Sequence, residues 1–324
     1  MHKKSIFNLI FQLLIIQSLV GQTNPNSQPI ELGKVQWNRN YDNALEKAKK
    51  ENKPVLILFQ EVPGCATCQN YGNNVLSHPL IIDAIENEFI PLAIYNNKGG
   101  HDKKILSKYN EPSWNNPVVR IVDKNGKDII TRLNGNYSDE GLVSHMLLAL
   151  SSGFYGQPEY LKLLNAELSL SDYDKSEAVF SMYCFWSGEA HLGELDGITK
   201  TEPGFMNGKE VVKVNFDPSV IDEKEIANHA AKANCSLEKK KSKFRADKDP
   251  QYYLKNSIYR SLALSDLQKT KINTAIKQGK DASIYLSPSQ KKALTFLKNK
   301  NTKSKKLIYT LDLNKGWSEM MSTI

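Results

Sequence analysis

Residues 178–190 read AVFSMYCFWSGEA, and the second half of the chain is organised around the centre of that stretch, Tyr183-Cys184-Phe185-Trp186. The apolar run from Ala178 to Met182 predicts a buried strand. Ser187, Glu189, Leu192 and Leu195 then fall at the spacing of a short helix, which Gly197 would end. Cys184 is thereby placed where a strand hands over to a helix. The free N–H groups and partial positive charge of a helix start suit a sulfur anion, the reactive form of cysteine. The two rings that follow the sulfur offer an apolar wall fitted to a small group such as a methyl. Spacing alone leaves a second reading open, in which Cys184 is a structural cysteine beside core aromatics.

The run EVVKVNFDPSV follows at Glu210–Val220. Together with Cys184-Phe185-Trp186 it resembles the A-type peptide methionine sulfoxide reductases, over about residues 176 to 260. The resemblance implies an α+β domain in which Cys184 attacks the sulfoxide sulfur. It further implies that Phe185 and Trp186 hold the methyl group and that Glu210 protonates the departing oxygen. Asp247 and Tyr252 match the polar residues of a later family motif. Two departures stand out. Tyr183 replaces the family's glycine before the cysteine. The family's long loop ahead of the glutamate strand is cut to Gly204–Lys209, so the tyrosine on that loop that helps bind the sulfoxide oxygen has no counterpart.

The chain has 324 residues, a length for about two domains. His2-Lys3-Lys4 is a basic start, Ser5 to Val20 is mostly apolar, and Gln22 to Gln28 is polar. This order predicts a secretory signal peptide over residues 1–21 and an exported, periplasmic or extracellular protein, associated with a membrane only through that segment if it stays uncleaved. The net charge of +8 falls to +6 without Lys3 and Lys4. The excess lies in the lysine clusters at 239–243 and 298–306, read as solvated surface because no nucleic-acid recognition motif accompanies them.

Only four cysteines occur, Cys65, Cys68, Cys184 and Cys235. That is too few for a disulfide-stapled scaffold of this size and points to redox chemistry. Neither the single Cys-x-x-Cys nor the scattered histidines matches a zinc pattern. No metal, flavin or nucleotide is expected, because electrons would travel by thiol–disulfide exchange.

In the first half, Asp42–Asn52 predicts a helix and Val55–Phe59 a central strand buried on both faces. Val62-Pro63-Gly64-Cys65-Ala66-Thr67-Cys68 leads into a second helix. Leu80–Glu88, Phe89–Tyr95 and Val118–Val122 read as helix, strand and strand. A turn at Asp123–Lys127 enters a strand over Asp128–Arg132. A helix capped by Ser138 closes the domain.

A strand delivering Cys-x-x-Cys to a helix start resembles the thioredoxin-like proteins from about Gln36 to Ser151. The resemblance implies an α/β fold in which Cys65 attacks a disulfide and Cys68 resolves the mixed disulfide. Pro117 matches the family's cis-proline, which offers backbone to the substrate chain. Pro63-Gly64 replaces the usual tryptophan before the first cysteine.

The expected organisation is a thioredoxin-like domain over 22–151, a linker with a docking helix over 152–175, and a reductase-like domain over 176–324 with a helical extension. Asp222-Glu223-Lys224-Glu225 has capping-box spacing, and further helices are expected over Ser265–Ile276 and Ser287–Leu297. Cys235 sits among polar residues and reads as accessible. As the only other cysteine of the second half, it is the candidate to resolve oxidised Cys184. The combined reading is an exported reductase of methionine sulfoxide in proteins or peptides, fed by Cys65 and Cys68 and regenerated by an upstream thiol reductant. The alternative is a thiol–disulfide oxidoreductase of exported proteins whose second half only binds peptide.

Overall fold

The computed structural model describes residues 24–170, 176–239, 242–300 and 306–324. The expected signal peptide, the residues around Ser171 and parts of both lysine clusters lie outside the described residues. The chain forms two compact units divided between Gly156 and Gln157. Among the described residues no helix is long and apolar enough to cross a membrane.

The first unit is built on a four-stranded sheet of order β2-β1-β3-β4, with β1 Val55–Gln60, β2 Ile90–Tyr95, β3 Val118–Val122 and β4 Leu133–Asn134. β1 runs parallel to β2 and antiparallel to β3. All six residues of β1 are buried, the apolar run Val55–Phe59 as a central strand requires and Gln60 with its amide donating to the Glu31 carbonyl. Val55, Ile57 and Phe59 face a cluster with Ala44 and Ala48 of α1 (Tyr41–Glu51) and Ile105 of α4 (Gly100–Lys108). Between these come α2 (Ala66–Asn70), continued by a π-turn over Tyr71–Val75, and α3 (Pro79–Glu88). α5 (Asp139–Ser152) closes the unit, with the Ser138 side chain capping its start.

The strand expected over Asp128–Arg132 is absent. Only Asp128 bridges to Val122, and pairing resumes at β4. The segment is drawn instead toward Glu111, a buried carboxylate that pairs with both Arg120 and Arg132.

The second unit begins with α6 (Glu159–Leu168), the helix the sequence assigns to a linker. Its Tyr160, Leu161 and Leu164 are buried, and Glu167 accepts the N–H of Asp266, the first residue of α10 (Asp266–Lys277). Its sheet is antiparallel, of order β8-β5-β7-β6-β9. The strands are β5 Ser176–Ser181, β6 Ile198–Met206, β7 Lys209–Phe216, β8 Ser236–Leu237 and β9 Arg245–Ala246. β6 and β7 join through Asn207 and Gly208, both at positive φ, the two-residue turn that an Asn-Gly pair favours. Gly204–Met206 and Lys209 therefore belong to strands, and the loop inferred from sequence reduces to two residues.

α7 (Phe185–Leu192) and α8 (Glu223–Ala231) cover one face of this sheet. Phe180, Val212, Val214 and Phe216 pack there with Leu192, Ile226 and Ala230. Each of the larger side chains contributes about 1.5–3 kcal/mol by leaving water. α9 (Tyr252–Lys255), α10, α11 (Pro288–Asn299) and α12 (Leu313–Met321) build a second apolar cluster around Leu254, Ile272 and Leu294.

Candidate active site

Each unit carries a cysteine at a helix start. In the first, β1 ends at Gln60 and the turn through Val62, Pro63 and Gly64 delivers Cys65 as the residue preceding α2. Gly64 is needed for close approach: a Cβ there would lie 2.4 Å from the Glu61 carbonyl oxygen and 2.7 Å from Cys68 Cβ. Its N–H donates to the buried Glu31 carboxylate at 2.7 Å, which fixes the turn.

Cys65 is exposed and Cys68 is buried, with the sulfurs 3.6 Å apart. The Cys68 thiol donates to Asn116 Oδ1 at 2.6 Å. Asn116–Pro117 is a cis peptide, as is Val62–Pro63. The Cys65 thiol is held below its ordinary value, chiefly by the main-chain N–H of Cys68, helped by the Cys68 thiol and by Thr67 and opposed by partial burial. Cys68 is pushed up to about 12 by burial, by its hydrogen bond with Cys65 and by the negative charge there. Exposure and a lowered thiol pKa suit the Cys65 sulfur to nucleophilic attack, while the buried Cys68 thiol favours its protonated form. Glu61 stands close enough to join both sulfurs as ligands of a metal ion.

In the second unit, β5 ends at Ser181 and Cys184 precedes α7. The β5–β7 register pairs Ser181 with Val211, and Met182 N–H donates to the Glu210 carbonyl at 3.1 Å. Glu210 is thereby brought beside the turn that holds Cys184. Its Oε2 accepts the N–H of Phe185 at 2.9 Å, taking the first free donor of α7. Phe185 and Trp186 stack at 5.4 Å between ring centres, Trp186 stacks on Tyr252 at 4.3 Å, and Phe205 leans on Phe185 at 5.3 Å. Cys184, Phe185, Trp186, Glu210 and Tyr252 converge. Asp247 accepts the N–H of Asp249 at 3.0 Å and donates its own N–H to the Pro203 carbonyl. Tyr183 projects into solvent at 99% exposure.

Cys235 departs from expectation. It is 5% exposed and packs in the core beneath the sheet. Asn234 adopts positive φ after α8, and Cys235 N–H donates back to the Ala230 carbonyl. That reversal turns the side chain inward although its sequence neighbours are polar, and burial pushes its thiol up. β8, which follows Cys235, pairs Ser236 with Ser181, the last residue of β5 and three residues before Cys184.

Glu189 escaped notice as a functional residue. It is completely buried on α7, accepting from Gln251 N–H at 3.0 Å and from the Thr201 hydroxyl at 3.4 Å. Burial pushes it up to about 8. It thereby anchors the residue before Tyr252 to the helix that starts at Cys184. Its sequence signal was a carboxylate at a helical position one turn beyond the aromatic pair.

Residues 36–124 match the family model described as Thioredoxin-like. The N-terminal region is thioredoxin-like. A solution structure of a thioredoxin from Thermus thermophilus is 21% identical, with a TM-score of 0.32, covering 38% of this chain and 93% of that one. The chain is also similar to two curated proteins named peptide methionine sulfoxide reductase MsrA. That of Pelagibacter ubique is 34% identical, covering 16% of this chain and 46% of the relative. That of Methanococcus maripaludis is 38% identical, covering 14% and 39%. The chain therefore spans less than half the length of these relatives.

Proposed function

We propose that this protein is an exported oxidoreductase that reduces methionine S-sulfoxide in proteins or peptides, with the thioredoxin-like unit supplying electrons. The observation that carries the reading is the junction of Cys184 with Glu210 and the Phe185–Trp186–Tyr252 stack. A nucleophile, a carboxyl group and an apolar wall there meet the three needs of sulfoxide reduction. The partial similarity to the two reductases adds support.

In this reading the Cys184 thiolate attacks the sulfoxide sulfur, and Glu210 delivers a proton to the departing oxygen. The products are the thioether and a sulfenic acid on Cys184. The Cys235 thiol attacks that sulfenic acid, expels water and forms a Cys184–Cys235 disulfide. Cys65 then attacks this disulfide, and Cys68 displaces the second unit, leaving Cys65–Cys68 oxidised. An upstream thiol reductant returns the two electrons. Because Cys235 is buried, its step needs a local opening of the turn after α8. Direct attack of Cys65 on oxidised Cys184 is the route that avoids it. Methionine sulfoxide accumulates in proteins exposed to oxidants, and its repair suits an exported enzyme.

The test is direct. The mature protein is incubated with dithiothreitol and a peptide carrying methionine S-sulfoxide, and the peptide mass is followed. Loss of one oxygen is expected. Retention of that oxygen, together with reduction of a disulfide-bonded protein substrate, would favour the alternative of a thiol–disulfide oxidoreductase with a peptide-binding second unit. The two-residue turn at Asn207-Gly208, which leaves no room for a substrate-binding loop, favours that alternative.

A further inference from the structure

Two histidines thirty-eight residues apart in sequence meet in the second unit. The His191 and His229 rings stack with centres 4.0 Å apart and planes within 15°. His191 Nε2 lies 3.0 Å from the His229 carbonyl oxygen, and His229 Nε2 lies 3.1 Å from the His191 carbonyl oxygen. A carbonyl oxygen only accepts, so each Nε2 carries the hydrogen and each neutral ring keeps its lone pair on Nδ1. Metal-bound imidazoles divide their nitrogens in this way, one donating to a carbonyl or carboxylate and the other facing the ion.

A third group completes the set. Glu194 is exposed, and one ligand atom from each of His191, Glu194 and His229 falls within 4.8 Å of the others. Both histidines lie in the last turns of their helices, α7 and α8. Helix C-termini present carbonyls without intrahelical partners and a partial negative charge, which favour a cation. The competing positive groups are Lys280, 3.9 Å from the Glu194 carboxylate, and Lys232 just after α8. Both are exposed and free to swing into solvent.

We propose that His191, Glu194 and His229 form a site for a divalent cation of the zinc class, held by two imidazole Nδ1 atoms and one carboxylate. Water completes the tetrahedral shell. The rings tilt out of their stack so that both lone pairs converge on the ion. Such a site ties α7, which starts beside Cys184, to α8, which leads into Cys235. It stands independently of whether methionine sulfoxide is the substrate.

Zn2+ alone is the probe, titrated calorimetrically into the full chain carrying Cys65→Ser and Cys68→Ser. These changes remove the thiols beside Glu61 that could also take up zinc. A single binding event is expected. His229→Gln should weaken it by at least the ~10–100-fold that loss of even an outer partner of a metal site costs. Glu194→Gln leaves both histidine–carbonyl bonds in place and should weaken binding while circular dichroism stays unchanged. Co2+ should give a spectrum without a thiolate-to-metal charge-transfer band. Absence of Zn2+ binding, affinity unchanged in both variants, or a thiolate band would each overturn the proposal and leave the histidine pair as a clasp between two helices.

Discussion

Cys65 and Cys184 occupy the same place in local structure and have different company. Each is the residue before a helix, reached by a short turn from the end of a strand. At Cys65 the main-chain N–H groups of Cys68 and Thr67 favour the sulfur anion, and a second thiol lies 3.6 Å away. At Cys184 a carboxylate takes the first N–H of the helix, and three stacked aromatic rings replace the second thiol. A strand-to-helix turn thus presents sulfur, and what shares the turn selects the chemistry. A neighbouring thiol suits disulfide exchange, and a neighbouring carboxyl group suits removal of an oxygen that needs a proton.

The sharpest way to break this contrast is to remove one sulfur at a time. Cys184→Ser should abolish loss of oxygen from a methionine sulfoxide peptide and leave reduction of a model disulfide by Cys65 and Cys68 intact. If the serine variant still reduces the sulfoxide, the division of labour between the two turns is wrong. Glu210→Gln keeps the acceptor for Phe185 N–H and deletes the proton source. Its rate should fall by about two to four powers of ten, the range for general acid catalysis. A normal rate would remove the acid assignment and spare the nucleophile.

Cys235→Ser separates the two routes between the units. Mass spectrometry should show one reduced peptide per protein molecule and then a stop. Normal cycling would make Cys65 the direct partner of oxidised Cys184. Burial of Cys235 gives this experiment its edge, since the relay needs the turn at Asn234 to open and the direct route does not.

These contrasts were unevenly legible in the sequence. Val55–Phe59 announced itself because a buried central strand is an unbroken apolar run, and Val118–Val122 departs from that pattern only at half-buried Arg120. The capping box at Asp222 was equally plain, a cap residue with Glu225 three positions on. α4 was not read, because it buries only Asp102, Ile105 and Leu106 on an otherwise charged helix. Asp128–Arg132 looked like a strand because its apolar pair outweighed the pull of Glu111 on Arg132, a contact made across 21 residues. Both cysteine turns were readable since their residues are contiguous. Asn116 under Cys68, the anchoring of Gln251 by Glu189 and the His191–His229 pair were not, because each joins residues that only tertiary folding brings together.

A gentler measurement sharpens the comparison at Cys65. The pH profile of its alkylation by iodoacetamide should have a midpoint below 9.0, the ordinary value, because its hydrogen bonds favour the thiolate. Cys68→Ala removes the neighbouring thiol, one of the groups that favours the Cys65 anion, and leaves the main-chain N–H, so the midpoint should rise part of the way back. An unchanged midpoint would assign the whole effect to the helix start.

The smallest effect falls on stability rather than rate, at Glu189. Its carboxyl group is pushed up to about 8 in the fold by burial, against 4.5 in the unfolded chain. Below pH 4.5 both states hold the proton, and the group exerts no pH-dependent effect. As pH rises from 4.5 toward 8 the unfolded chain releases the proton and the folded chain keeps it, so unfolding becomes more favourable. Glu189 therefore destabilises the protein increasingly across that window, with no further change above it. Glu189→Gln cannot ionise; its amide oxygen can accept the Gln251 N–H while its amide N–H turns to the Thr201 hydroxyl, which can accept instead of donate. The variant should gain on the order of 3 kcal/mol over the parent between pH 4.5 and pH 8 in urea denaturation. A pH-independent difference between the two proteins would show that Glu189 ionises freely in the fold. Then the carboxyl group that ties Gln251, the residue before Tyr252, to α7 would be a charged one in spite of its burial.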